Sequence, residues 1–334
     1  MRCAHVALCL GSTALRPAAA MLSTSACNAK YVIAVDGIAG PSEQASKDFL
    51  LSRPSGAYTT ARTCSRARRL FEWDTHVQRT AASVDSMLRD DARLTTAEAR
   101  MLSAQLGTSE ALRPQLDATV AAAMQAYIDA HGDDTELKVT ALVNWKVSTT
   151  ASIACHVAPL PPLPVSPVKV EVRGAPRSNA MAKDSSWVAD RAPLEALMGA
   201  DFNELLLATE DGELLEGSQT NFFAVQDGAV VTAGDGVLAG TVRRLLLEVC
   251  DREGIPVIFR PPRLSEASQW DGVLISSTSR LLLPVDELYV PVEGRPSVAA
   301  DRRAQFDNGP GSLTARLRDR VSGEVVAHSV AMIA

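Results

Sequence analysis

The sequence predicts a mixed α/β chain, α+β in its segregation of elements, divided into two domains. Three features predict this. Strand-like and helix-like patterns alternate through the first half, a proline-rich stretch interrupts the middle, and the second half shows short apolar runs separated by Asp-Gly turns ahead of one strong helix. At 334 residues the chain can form one large domain or two ordinary ones, each with a sizeable core.

Residues 1–35 contain no Asp or Glu but include Arg2, Arg16, several Ser and Thr, and many Ala, the composition of an organelle transit peptide. A leader over 1–30 and delivery to mitochondrion or plastid are therefore expected, with the cytoplasm as the alternative. The apolar Ala7-Leu8-Cys9-Leu10 is short for a secretory core. Tyr31–Val35 then reads as a strand, followed by a second at 57–61 with Gly56 as the bend before it. Helical spacing recurs over 75–87, 95–106 and 114–127, and strands at 137–143 and 152–157 close this half. The run Ala158-Pro159-Leu160-Pro161-Pro162-Leu163-Pro164, with Pro167 beyond it, is a rigid extended linker over 158–168. Domain boundaries of 31–157 and 169–334 follow.

After the linker, Asp-Gly pairs at 211–212 and 227–228 stand between runs at 204–208, 213–215, 222–225 and 229–232, the pattern of an antiparallel meander. A glycine-spaced turn, Gly234-Asp235-Gly236-Val237-Leu238-Ala239-Gly240, leads into an amphipathic helix from Thr241 to about Glu253, stopped by Gly254 and Pro256. Further strands are expected at 257–260 and 272–276.

Composition excludes several function classes. A net charge of -6 argues against a broad nucleic-acid footprint despite the local cluster Arg62, Arg66, Arg68 and Arg69. No apolar run is long enough for a membrane-spanning helix. The six cysteines form no Cys-x-x-Cys pair, and none of the five histidines stands at helix-borne ligand spacing from another, so neither a disulfide scaffold nor a metal site is predicted.

A phosphate can rest on the free N–H groups of a helix start, and the turn at 234–240 offers one. A dinucleotide site would use the same physics, but the spacing Gly234-x-Gly236-x-x-x-Gly240 misses the three-glycine pattern by one residue, and the preceding elements read as antiparallel. Thr278 in Ser276-Ser277-Thr278-Ser279 and Arg79 in His76-Val77-Gln78-Arg79 are further candidate phosphate ligands. Each of these alone has an ordinary alternative: a plain connection, a strand-end hydroxyl, a surface arginine.

Taken together, His76-Val77-Gln78-Arg79, Gly240-Thr241-Val242-Arg243, Ser276-Ser277-Thr278 and the run Glu216-Gly217-Ser218-Gln219-Thr220-Asn221-Phe222-Phe223 resemble, in kind and order, the motifs of the class IV (fold-type IV) aminotransferases. The resemblance spans roughly residues 50–290. It implies pyridoxal 5'-phosphate held between a small α/β domain and a larger one with a barrel-like strand core, in a homodimer. It implies that Arg79, Leu238, Gly240, Thr241, Val242, Ser277 and Thr278 line the cofactor, that Glu216 pairs with the pyridine nitrogen, and that Asn221 braces the motif. The family lysine falls after the linker, a few dozen residues before the Glu and ahead of a helix; of Lys30, Lys47, Lys138, Lys146, Lys169 and Lys183, only Lys183 fits. The resemblance makes it the aldimine lysine and the acid–base group. Tyr58 stands where relatives line the substrate pocket, with a core plug on a strand as the equal alternative.

The activity implied is exchange of an amino group between an amino acid and a keto acid. Trp187 and Val188 depart from the tyrosine that branched-chain aminotransferases carry after the lysine, which leaves the substrate open. A 4-amino-4-deoxychorismate lyase and a non-catalytic protein of the same fold are the competing readings; a serine hydrolase is remote, because Gly217-Ser218 lacks the nucleophile-elbow spacing.

Overall fold

The structure, a computed structural model, describes residues 29–146 and 150–333. The expected leader lies outside these residues except for Ala29 and Lys30. In the first half the chain forms β1 (Tyr31–Val35), β2 (Ile38–Ser42), α1 (Ser46–Leu51), β3 (Ala57–Cys64), β4 (Arg69–Phe71), α2 (Trp73–Asp90), α3 (Thr96–Leu106), α4 (Ser109–His131), β5 (Leu137–Trp145) and β6 (Ala151–Pro159). The strands form one antiparallel sheet in the order β4-β3-β5-β6-β1-β2.

Alternation along these strands sets the layering. Ala57 and Ala61 of β3, and Val139, Ala141 and Val143 of β5, face α2, α3 and α4, packing on Val77, Val84, Leu102, Leu116 and Met124. The intervening positions point the other way. Tyr58 and Leu142 join Phe49 and Leu50 of α1, and Thr60 lies opposite Thr140, and Arg62 opposite Lys138, across the β3–β5 pair. Local caps fix the helix starts. Thr95 and Glu98 form a reciprocal capping box on α3, and Thr108 accepts from the Ala111 N–H of α4.

The second half contains β7 (Lys169–Val172), α5 (Trp187–Asp190), α6 (Ala192–Glu195), β8 (Glu204–Ala208), β9 (Leu214–Gly217), β10 (Asn221–Gln226), β11 (Ala229–Thr232), α7 (Thr241–Glu253), β12 (Val257–Phe259), β13 (Gly272–Ser277), β14 (Leu281–Val285), β15 (Glu287–Tyr289), β16 (Arg302–Gln305), α8 (Leu313–Gly323) and β17 (Ser329–Ala331). Its sheet runs β12-β11-β10-β9-β8-β7-β15-β16 and branches at β10, which also pairs with β13, itself paired with β14. Because β10 is covered on both faces, its apolar residues do not alternate with polar ones. Phe223 and Val225 pack with Leu245, Leu246 and Val249 of α7 and Leu317 of α8, whereas Phe222 and Ala224 pack into a second core with Val231, Val273 and Leu283.

The meander expected over β8 to β11 is antiparallel. Directly past the glycine turn the order changes: α7 carries the chain across to β12, which runs parallel to β11, before β13 returns antiparallel to β10. The three residues of β12 are too few to reveal direction from pattern. The turn at Asp227 and Gly228 has both residues at positive φ, as a two-residue hairpin between right-twisted strands requires. Residues 329–331, expected with the second half, instead pair with β4 on the outside of the first sheet. There the Glu72 N–H donates to the His328 carbonyl (2.7 Å) and Arg69 Nε donates to Ser329 Oγ (2.9 Å).

Among the described residues, Cys64, Cys155 and Cys250 are free and buried, and no group of three or more His, Cys, Asp or Glu is arranged to hold a metal ion. No described helix is long and apolar enough to cross a membrane.

Candidate active site

The branch at β10 builds one wall of a cavity of about 420 Å³. Asn221 lies opposite Glu216 of β9 on one side and opposite Ser276 of β13 on the other, so three polar residues share one row across three strands. Asn221 Nδ2 donates to the Leu238 carbonyl (2.8 Å), and the Leu238 N–H donates to Glu216 Oε2 (3.0 Å). This network brings Asn221 so close to Gly240 that a Cβ there would sit 2.0 Å from Asn221 Oδ1; only glycine fits.

Beyond Gly240, α7 begins without a side-chain cap, and Thr241 and Val242 of its first turn line the cavity. Thr241 Oγ1 and Thr278 Oγ1 stand 3.0 Å apart, both buried. Arg79 arrives from α2, donating from Nη2 to Thr59 Oγ1 (3.1 Å) and from Nη1 to the Ala239 carbonyl (3.3 Å), while its Nε is buried without a partner. Burial lowers its pKa to about 10, so it stays charged at neutral pH. His76, one turn earlier, is fully buried with Nδ1 2.7 Å from Thr59 Oγ1. Burial, and then the neighbouring Arg79 and Lys183, push its pKa well down, making it a neutral prop for the arginine. Ser277 also lines the cavity, but its hydroxyl accepts from the Arg280 N–H (3.3 Å).

Lys183 enters from the opposite wall on a segment bolted to β3. The Tyr58 N–H donates to the Lys183 carbonyl (2.9 Å), the Ser185 N–H to the Gly56 carbonyl (3.0 Å), and the Lys183 N–H to Ser83 Oγ of α2 (3.1 Å). Its amine lies 4.5 Å from the centre of the Tyr58 ring. Burial lowers the lysine pKa; Tyr58 opposes this, and Arg79, Arg177 and Arg191 add to it. The Tyr58 phenol, despite burial that works in the other direction, is drawn down to about 8 by Lys183 and Arg191.

Glu216 is buried, and its Oε1 receives Arg177 through Nε (2.8 Å) and Nη2 (2.6 Å). Burial raises the Glu216 pKa, with Arg177 and the Leu238 N–H pulling against it. Arg177 also sits over the Trp187 ring (5.6 Å), and Trp187 Nε1 donates to the Ser218 carbonyl (2.7 Å), tying the lysine segment to the β9–β10 turn.

The remaining rim comes from elements scattered along the chain. Arg191 donates from Nε to Glu195 Oε1 (2.7 Å), and Glu195 Oε2 also receives Lys47 of α1 (2.8 Å). Arg280 donates to the Asn203 carbonyl (2.9 Å) and to Glu204 Oε2 (3.3 Å). Lys138 and Thr140, two apart on β5, both face the cavity.

One cavity thus gathers every residue singled out from sequence: Tyr58, Arg79, Lys183, Glu216, Asn221, Leu238, Gly240, Thr241, Val242, Ser277 and Thr278. Leu238 differs from a simple lining residue in that both its backbone groups are used by Glu216 and Asn221. The reading missed Arg177, Arg191, Lys138 and Arg280. The i,i+4 pair of Arg191 and Glu195 and the alternation of Lys138 with Thr140 were the available signals. Chemically, an uncapped helix start with hydroxyls and an arginine at one end, and a buried carboxylate at the other, could hold a phosphorylated ring with a basic nitrogen, within reach of an amine.

A family model described as Amino-transferase class IV matches residues 56–288. A Methanocaldococcus jannaschii protein provisionally named a branched-chain-amino-acid aminotransferase is 24 % identical over 177 residues, covering 51 % of this chain and 57 % of that protein. A Synechocystis protein named a probable branched-chain-amino-acid aminotransferase is 33 % identical over 89 residues, 26 % of this chain and 29 % of its own length. The chain therefore spans less than two thirds of either relative. The solved branched-chain aminotransferase of Thermoproteus uzoniensis with norvaline superposes with a TM-score of 0.65 at 19 % identity, covering 90 % of this chain and 99 % of that one, a likeness of fold.

Proposed function

The chain belongs to the class IV aminotransferases, and from that premise we propose that it is a pyridoxal-phosphate-dependent transaminase acting on an amino acid and keto acid pair. The observation that carries the proposal is the shared cavity of Lys183, buried Glu216 and the uncapped start of α7. The groups present fit the cofactor. Arg79 Nε and Ser276 Oγ are buried without partners, Thr241 and Thr278 turn hydroxyls inward, and a Cβ at Gly240 would fill the cradle. Solved relatives of the same fold carry pyridoxal or pyridoxamine phosphate.

Arg79, the Thr241 and Val242 N–H groups and the two threonine hydroxyls would take the phosphate, and Glu216 would accept from the pyridine nitrogen. When bound, the cofactor supplies an electron sink for charge that develops at the substrate α-carbon. Lys183 is the residue that would hold it covalently. Its lowered pKa leaves more free amine at neutral pH than an exposed lysine has, so Nζ can act as nucleophile and then carry the transferred proton. Arg177 orients Glu216 and offsets the cost of burying its charge. Trp187 and Val188 line the same cavity, Val188 packing with Tyr58 and Trp187 against Arg177. A homodimer and a cleaved leader complete the proposed picture.

The purified protein is expected to absorb in the visible, to lose that band on borohydride treatment, and to yield a modified peptide containing Lys183. Amino and keto acid pairs are expected to turn over with ping-pong kinetics. Release of pyruvate from aminodeoxychorismate without amino transfer would replace the transaminase reading by the lyase; bound cofactor with no turnover on any donor would favour the non-catalytic one.

A further inference from the structure

The two helices assigned to the phosphate belong to different cores. Val77, Ala81 and Val84 of α2 pack in the core of the first half, and Val242, Leu245 and Leu246 of α7 in that of the second; among the described residues no apolar cluster contains both helices. Phe71, just ahead of α2, reaches the α7 core, which supplies attraction without direction. The directed contacts are polar. Arg79 Nη1 donates to the Ala239 carbonyl at one end (3.3 Å), and at the other Arg244 Nη2 of α7 donates to Glu72 Oε2. Glu72 is 5 % exposed and sits at φ 55, a left-handed conformation that is costly for a residue with a Cβ. It stands at the N-cap of α2, yet its side chain caps no N–H of that helix. The carboxylate serves side chains instead. Besides Arg244, Oε2 accepts from Thr75 Oγ1 (2.7 Å), and Oε1 lies 2.9 Å from His328 Nδ1, while the His328 carbonyl accepts from the Glu72 N–H (2.7 Å).

A phosphate gripped from two helices is held well when both sets of donors converge, because charge-assisted hydrogen bonds weaken steeply with misalignment. Glu72 stands two turns before Arg79 on one face of α2, and Arg244 one turn after Thr241 on α7. The Glu72–Arg244 pair therefore fixes how the helices lie against each other at a point away from the phosphate itself. A buried carboxylate paired with a half-exposed arginine adds little net stability but is well suited to setting geometry. We propose that Glu72 is a positioning residue for the phosphate cup: through Arg244 and His328 it aligns Arg79 with the start of α7, and it makes the returning strand β17 part of the cofactor's support. The inference rests on the cofactor reading above and goes beyond it, since neither Glu72, Arg244 nor His328 lines the cavity. A general brace would change stability alone; an aligning residue changes what the phosphate group contributes to binding.

The test uses the full chain, stripped of cofactor and titrated back. Dissociation constants of pyridoxal 5'-phosphate and of pyridoxal are read from absorbance, and that of inorganic phosphate from calorimetry, in the unaltered protein, Glu72→Gln, Arg244→Gln and the double variant. Each single variant is expected to weaken pyridoxal phosphate and inorganic phosphate roughly 10-fold while pyridoxal stays within about twofold. The double variant is expected to be no weaker than either single one, because both remove the same contact. Leu288→Ala, a core truncation in β15 away from both helices, is expected to lower the unfolding midpoint with the ratio of phosphorylated to unphosphorylated affinity unmoved. Should Glu72→Gln fail to fold, Arg244→Gln at its half-exposed side chain gives the same reading. Equal losses for pyridoxal and its phosphate, no loss for either, or the same change of ratio in Leu288→Ala overturns the positioning role and leaves the transaminase intact. Absence of a borohydride-sensitive visible band in the unaltered protein defeats the cofactor reading instead, and inorganic phosphate binding then decides the role of Glu72.

Discussion

The two ends of the cavity are built by different means. At the β10 branch, Glu216, Asn221 and Ser276 are fixed by strand register, Leu238 is held through its backbone, and Gly240 is fixed by a contact that excludes any side chain. At the rim, Lys47, Lys138, Arg191 and Arg280 reach in on long flexible stems from four separate elements. Backbone geometry cannot change without remodelling the sheet, whereas a long side chain can be exchanged with its element left in place. The division suits an enzyme in which the chemistry is held constant at one end and selectivity is tuned at the other.

The sharpest way to break the comparison is Lys183→Ala. Loss of the proposed proton carrier should lower kcat by about 10²- to 10⁴-fold while the fold holds, measured by steady-state kinetics beside denaturant unfolding. Arg79→Gln removes a charged contact at the backbone-built end. Cofactor affinity should fall roughly 10- to 100-fold, read from visible absorbance during pyridoxal phosphate titration, with the amino-donor KM at saturating cofactor unmoved. Gly240→Ala tests the close approach and should cost about 1–3 kcal/mol in denaturant unfolding as Asn221 is displaced from Leu238.

The smallest effect is at the rim and depends on pH. The phenol of Tyr58, drawn from its ordinary 10 to about 8, faces Lys183 and Arg191, with Lys138 and Arg79 also near. Below pH 8 the phenol is neutral; above it a phenolate forms beside Lys183 and Arg191 and competes with an incoming carboxylate for them. Affinity for a carboxylate substrate analogue such as 4-methylvalerate should therefore weaken roughly threefold as pH rises through 8, and stay level in Tyr58→Phe. A flat profile in the unaltered protein would place Tyr58 outside the rim.

Legibility in the sequence follows the same division. Local signals sufficed for Tyr31–Val35, for α7 with Gly254 at φ 66, and for the hairpin at Asp227 and Gly228. The residues of the β10 end were singled out by the family resemblance rather than by local signals, and they line one cavity. The unread elements lack such signals. β14 is apolar throughout and contains Pro284, β17 has three residues, and α8 carries Arg and Asp beside its buried Ala315, Leu317 and Val321. Arg177 had no such signal, and the local hints at Arg191 and Lys138 fell short for a related reason. Nothing near them in sequence says that β5, the segment after β7 and the α5–α6 junction converge, and long-range packing alone decides it.

The short strand β17 has a consequence for anyone who cuts or fuses this protein. The polypeptide leaves its opening sheet at the proline stretch, completes the other, and returns to hydrogen-bond beside β4, as a belt is threaded back through its first loop. Severing it at the prolines would strip an outer strand from one fragment and leave a stranded tail on the other. Expressing the two halves separately is thus a poor route to either, and a bulky fusion placed directly after Ala331 would press on the seam that joins them.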